Sequence, residues 1–223
     1  MRRLAFIASL AVVTATGCGS SSSESEPPVT TAATTQAQAC TEVSQPSPRD
    51  AETLEPPRAP LDTTKQWRLT FRTSCGTFVV VLQPQTSPKA TASLVSLARR
   101  GFFDDTIFHR IVPGFVVQGG DPTQSGSGGP GYTTVDTPKA GTRYVTGTVA
   151  MAKTGAEPRG AAGSQFFVMT ADAPGLDPDY AVVGRVVSGM PAVQRIGKLG
   201  DPADPAGAPT QTVGVDRVTV ASR

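Results

Sequence analysis

The sequence predicts a mostly β fold, a closed barrel capped at its ends by two α-helices, and three observations lead there. Gly and Pro are abundant, 23 and 20 of 223 residues, so turns are frequent. Short runs of β-branched and aromatic residues recur between those turns, in the manner of strands. Only two stretches carry helical spacing, and many short strands with few helices are the pattern of a barrel. About sixty residues at the start differ in composition from the rest, and the remaining stretch of about 155 suits one domain with a full core. Charge nearly balances, with 20 Lys and Arg against 18 Asp and Glu, and no basic cluster stands out, which excludes nucleic acid as a partner.

Trp67–Thr73 alternates bulky apolar and polar residues, Cys75-Gly76 makes a turn, and Thr77–Leu82 follows as a β-branched run. Together they read as a β-hairpin. Ser87 stands as a helix N-cap with Pro88 at the first helical position; Ala90, Leu94, Leu97 and Ala98 recur at helical spacing, and Arg99, Arg100 and Gly101 close the helix. Phe108–Ile111 and Phe115–Gln118 read as two short strands bent at Pro113-Gly114. Gly147–Ala152, Ser164–Thr170 and Ala181–Val187 read as further strands, Pro191–Ile196 as a short helix and Thr212–Val220 as the closing strand.

The bent pair of strands carries an Arg and a Gln that an ordinary core strand would not, so Arg110, Phe115, Val116 and Gln118 read as the wall of a site. Gln165-Phe166-Phe167 is a second segment of the same character. The intervening Thr123–Gly131 is rich in Gly, but no Gly-Lys-Ser/Thr follows and Pro130 blocks a helix start, so it is a surface loop and not a phosphate cradle. His109 is the only His, and with no Gly-x-Ser-x-Gly elbow or ordered triad the chain does not read as a hydrolase.

Residues 1–17 have the layout of an export signal: Met1-Arg2-Arg3, an apolar run from Leu4 to Val13, and small residues before Cys18. The apolar run is far shorter than the roughly twenty residues a membrane-spanning helix needs. Ala15-Thr16-Gly17-Cys18 resembles the bacterial lipobox, which would make Cys18 a lipidated N-terminus and hold the protein on the extracytoplasmic face of the membrane; an ordinary signal peptidase would also suit Ala-x-Gly. Residues 18–64, rich in Ser, Thr, Pro, Ala and Gln, are expected to form a disordered tether, with the globular domain occupying 65–223. Cys40 and Cys75 are the two cysteines left over, and an exported chain can bridge them. With no third Cys or nearby His they cannot fill a tetrahedral metal site, and no metal or cofactor is expected.

The run from Phe108 to Asp121, Phe-His-Arg-Ile-Val-Pro-Gly-Phe-Val-Val-Gln-Gly-Gly-Asp, and Gly163–Val168, Gly-Ser-Gln-Phe-Phe-Val, resemble the two signatures of the cyclophilin-type peptidyl-prolyl isomerases. The resemblance spans residues 67–223 and implies an eight-stranded antiparallel barrel closed by two helices, with the active groove on its outer face. It also implies proline-containing polypeptides as substrates and a monomer that helps exported proteins fold. The alternative is a module that holds such peptides in the same groove without catalysis.

The chemistry needs no nucleophile. Rotation about an Xaa-Pro bond meets a barrier of about 18–20 kcal/mol because the amide is conjugated. A donor to the prolyl nitrogen lowers it, and Arg110, always charged, is the candidate. Gln118 would hold the substrate carbonyl, and Phe115, Val116, Phe167 and Leu176 would form the socket for the proline ring. The resemblance assigns the backbone of Ala152 and Lys153 to the peptide edge, Gln165 to a second polar wall and His109 to a supporting place beside Arg110. Gly175 stands where many eukaryotic members carry a Trp, which implies weak binding of cyclosporin, and Tyr180 replaces a His while keeping a flat ring with a polar tip.

Overall fold

In the computed structural model, which describes residues 39–223, the hairpin begins the architecture. Its strands are β1 (Trp67–Thr73) and β2 (Gly76–Leu82). Helix α1 (Pro88–Arg99) follows, then β3 (Thr106–Ile107), β4 (Arg110–Val112), β5 (Val116–Gly119) and β6 (Thr134–Val135). The second half holds β7 (Thr148–Met151), β8 (Ala161–Ala162), β9 (Phe166–Met169), β10 (Val182–Ser188), α2 (Met190–Gly197) and β11 (Gly214–Ser222). Every ladder is antiparallel.

Nine strands form one sheet in the order β3-β11-β1-β2-β10-β7-β9-β5-β4, and β6 and β8 pair separately. This corrects the expected closed eight-stranded barrel: the sheet curls but its edges, β3 and β4, do not pair. Residues 200–213 run beside these two segments, which lie two residues apart in the chain. Ile111 N–H donates to Gly207 O (2.8 Å), and Phe108 N–H donates to Val213 O (3.0 Å), which extends the β3–β11 pairing by one bond.

The concave side of the curl is filled by aromatic rings. Phe71 and Phe78, opposite one another in the hairpin register, stack with centroids 4.7 Å apart, and Phe166 meets both Phe71 and Phe103. Burial of such rings supplies most of the cohesion of a core this size. A second, smaller apolar cluster lies on the opposite face of β5, β7 and β9, around Val116, Tyr144, Ala150, Phe167 and Met169. Neighbouring strand residues point to opposite faces, so Phe166 joins the core while Phe167 joins the outer cluster.

Ser87 does occupy the N-cap of α1, but its side chain caps nothing; its hydroxyl donates to Val182 O (2.7 Å). The first-turn N–H of Ala90 is taken instead by the Asp136 carboxylate at 2.7 Å, a cap supplied from a distant loop.

Residues 39–64 correct the expected tether. They have no regular secondary structure, yet they lie along the domain as a strap. Thr41 N–H donates to Ser74 O, Arg49 N–H to Pro122 O and Leu54 N–H to Pro130 O, while Leu54 and Leu61 pack on the core. Arg49 caps the Phe102 carbonyl and lies over its ring. Cys40 and Cys75 form a disulfide that fixes the strap to the β1–β2 turn. The export signal and Cys18 lie outside the described residues. Among the described residues no helix is long and apolar enough to cross a membrane.

Candidate active site

The hairpin β4–β5 brings Arg110 opposite Gln118, and β9 on the other flank sets Gln118 opposite Phe167. Gly114 makes the hairpin's bend in the left-handed region (φ 69°), which a residue with a Cβ seldom adopts. Arg110, Gln118 and Gln165 then form a line. Gln165 Nε2 donates to the carbonyls of Gly126 (2.9 Å) and Gly128 (3.0 Å), so its amide can face only one way. Its Oε1 accepts from Gln118 Nε2 at 3.0 Å, which turns Gln118 Oε1 toward Arg110 Nη1 at 3.3 Å. The backbone of the loop thus dictates the orientation of two amides and one guanidinium in sequence.

Arg110 is held from the other side by Ala206 O, 3.1 Å from its Nε. A guanidinium has five N–H groups, and those not given to Ala206 and Gln118 bond to no other group among the described residues.

The Gly-rich loop is built on Asp121, the last residue of the first signature. Its buried carboxylate accepts from Thr123 N–H and hydroxyl (both 2.8 Å), Gly126 N–H (2.7 Å) and Gly128 N–H (3.1 Å). The Asp-Pro-Thr start of the loop carried the signal, since Asp favours bonding to backbone two residues on. Gly128 has no alternative residue: a Cβ there would come 2.1 Å from Asp121 Oδ1. Burial raises the Asp121 pKa, but the bonds from Thr123, Gly128 and Gly126 outweigh it and hold the carboxyl below its ordinary value.

Because that pKa is depressed in the folded state, the loop's stabilisation is fully present above the unfolded value of about 3.9 and is lost as pH falls through the lower folded value. Asp121→Asn, which keeps one acceptor and removes the charge, is expected to cost about 2 kcal/mol at neutral pH. Thermal unfolding of both proteins from pH 7 to pH 2 checks this: the gap should narrow at the acid end, and a constant gap would refute the assignment.

His109 lies under this loop, with Gly126 close to its ring. Burial lowers its pKa, opposed by the nearby Asp121 charge, so the ring is neutral at pH 7.

Phe115, Val116, Phe167 and Leu176 come together on the outer face with Tyr144 and Tyr180. Phe167 and Tyr180 meet edge to face, centroids 5.3 Å apart at 86°. Tyr144, which the sequence reading missed, fixes that geometry from behind: its hydroxyl donates to Tyr180 O and accepts from Tyr180 N–H, both 2.9 Å. Lys153, expected to matter only through its backbone, buries its side chain. Its Nζ lies 3.7 Å from Asp179 and 5.7 Å from the Tyr180 ring centre, and it donates to Thr154 O and Glu157 O. Ala152 gives its N–H to Gln165 O (2.9 Å), so peptide pairing at this edge would use other atoms. Gly175 opens on space: nothing lies within 4 Å of a Cβ built there.

The comparisons agree with this geometry. The family model described as cyclophilin type peptidyl-prolyl cis-trans isomerase matches residues 68–220. Peptidyl-prolyl cis-trans isomerase-like 1 of Aspergillus fumigatus is 41% identical over 131 residues, covering 57% of this chain and 80% of the relative. Peptidyl-prolyl cis-trans isomerase CYP18-2 of Arabidopsis thaliana is 38% identical over 135 residues, covering 59% and 80%. The crystal structure of a cyclophilin type peptidyl-prolyl cis-trans isomerase from Cryptosporidium parvum, determined in the presence of the dipeptide Ala-Pro, superposes with a TM-score of 0.63. It is 28% identical, and the match covers 70% of this chain and 99% of that one.

Proposed function

The chain belongs to the cyclophilin-type peptidyl-prolyl cis-trans isomerases, and from that premise we propose how its own residues rotate an Xaa-Pro bond. The observation that carries the reading is the oriented line from the loop carbonyls to Arg110, running beside the apolar cluster of Phe115, Val116, Phe167 and Leu176. The proline ring enters that cluster as a socket, which excludes water and fixes the ring. Gln118, with its Oε1 occupied by Arg110, offers an N–H to the carbonyl that precedes proline. An Arg110 N–H donates to the prolyl nitrogen as it loses conjugation and becomes a better acceptor. That bond strengthens only on the way to the twisted amide, so it lowers the barrier without tightening the ground state. A millionfold acceleration requires about 8 kcal/mol, which one charged donor, a dry socket and a fixed carbonyl supply together.

Tyr180 closes the socket with the edge of its ring, and Gln165 and Lys153 act by holding Gln118 and Tyr180. His109, half-buried beneath the loop, takes no proton in the reaction. Exchange NMR on an Ala-Ala-Pro-Phe peptide tests the proposal. Cis and trans signals should interconvert at a rate proportional to substoichiometric protein. Binding with exchange left at its uncatalysed rate would favour the peptide-holding alternative instead.

The clients are proposed to be exported proteins, met by a monomer anchored through lipid on Cys18. The signal-like residues 1–17 support this, and the Cys40–Cys75 bridge suits an oxidising compartment. Partition into the detergent phase, abolished by Cys18→Ala, is the expected result; partition of both into water would refute it.

A further inference from the structure

A pocket of about 670 Å³ opens beside the groove and shares Gln118, Gln165 and Ala152 with it. One wall is the Gly-rich loop; another is Ala51-Glu52-Thr53 of the strap. The strap lies outside residues 68–220, the part of the chain the family model matches, so this wall is added to the matched domain. We propose that residues 51–53 are specificity-determining residues of the isomerase, forming the outer wall of a pocket that takes a side chain on the N-terminal side of the substrate proline.

The strap is built to hold that position. It contacts the loop at both ends of the pocket: Gln45 and Pro46 bond to Gln124 (2.6 and 2.9 Å), Arg49 to Pro122, and Leu54 to Pro130. Gly131 faces it so closely that a Cβ would lie 2.7 Å from Thr53 Cα. Cys40–Cys75 fixes one end, and Leu54 and Leu61 anchor the other in the core. A wall flanked by backbone bonds at Arg49 and Leu54 yields less to a substrate side chain than a free loop would.

The direction follows from the proposed roles, on which this inference rests. Gln118 holds the carbonyl before proline while the ring lies in the Phe115, Val116, Phe167 and Leu176 socket. The pocket shares Gln118 and none of those four residues, so it receives what precedes the proline. Its volume falls in the range of about 300–1,000 Å³ usual for ligand pockets, ample for one large side chain.

The test adds bulk at the exposed Ala51 of the full chain. Isomerisation of Leu-Ala-Pro-Phe and Gly-Ala-Pro-Phe is followed with wild type and Ala51→Trp. Side-chain discrimination in a pocket is worth about tenfold or more. The Leu-to-Gly ratio of kcat/KM is expected to change about tenfold in Ala51→Trp, through the KM of the Leu peptide. Arg49→Ala, which frees the strap from Phe102, should bring the wild-type ratio toward one. A ratio unchanged in both variants overturns the inference. Failure of wild type to turn over either peptide is the distinct result that would overturn the isomerase reading beneath it.

Discussion

Arg110→Ala is expected to lower kcat/KM for an Xaa-Pro peptide by about 100- to 1,000-fold, the loss seen when one preorganised donor to a transition state is removed. Peptide affinity should change only a few-fold, because the socket of Phe115, Val116, Phe167 and Leu176 is untouched. Gln118 keeps the orientation that Gln165 imposes on it, though its Oε1 loses the Arg110 donor. Arg110→Lys separates charge from geometry. A compact ammonium cannot serve Ala206 O, Gln118 and the prolyl nitrogen in one plane, so Lys should recover only a small fraction of the rate. Exchange NMR gives the rate and titration the affinity; a rate equal to wild type in Arg110→Ala would remove this residue from the mechanism.

Cys40→Ser is expected to destabilise the protein by about 4 kcal/mol, from the entropy that a bridge denies the unfolded chain. The bridge spans 35 residues and contains the whole strap, so the unfolded ensemble it restricts is large. In the native state little else need change, since the Arg195 guanidinium bonds to the Cys75 carbonyl, not its sulfur, and the strap keeps its bonds to Pro122 and Pro130. For a domain of this size that loss corresponds to roughly 8–16 °C in Tm. Calorimetry of wild type, reduced wild type and Cys40→Ser checks it. The last two should coincide, and a Tm shift below about 3 °C would show that the bridge contributes little.

The long strands and both helices were legible because their apolar residues repeat at a definite period over five residues or more. The strands β3, β6 and β8, each two residues long, show no period and were invisible. The open edge of the sheet was equally hidden, for strand order is set by long-range pairing that leaves no local pattern. The strap misled through its composition: its order comes from two leucines, one disulfide and bonds to Pro122, Pro130 and Ser74, too sparse to mark it as ordered by hydrophobicity. At the site, the placement of Arg110, Gln118, Gln165 and the apolar cluster could be read from strand alternation and the two signatures. Asp121 left a local mark in its Asp-Pro-Thr turn, whereas Tyr144 and the Lys153 side chain left none, because they act on Tyr180 and Asp179 across a distance in sequence.

Phe166 and Phe167 stand back to back on β9, one ring in the core and the next in the socket. A single peptide plane therefore transmits any misfit between the two. A new ring at either position meets only its own neighbourhood directly, but any backbone shift that accommodates it displaces the other ring as well. Diversification of substrate choice is thereby directed to the periphery, where a segment such as residues 51–53 can be rewritten with the hydrophobic interior left undisturbed.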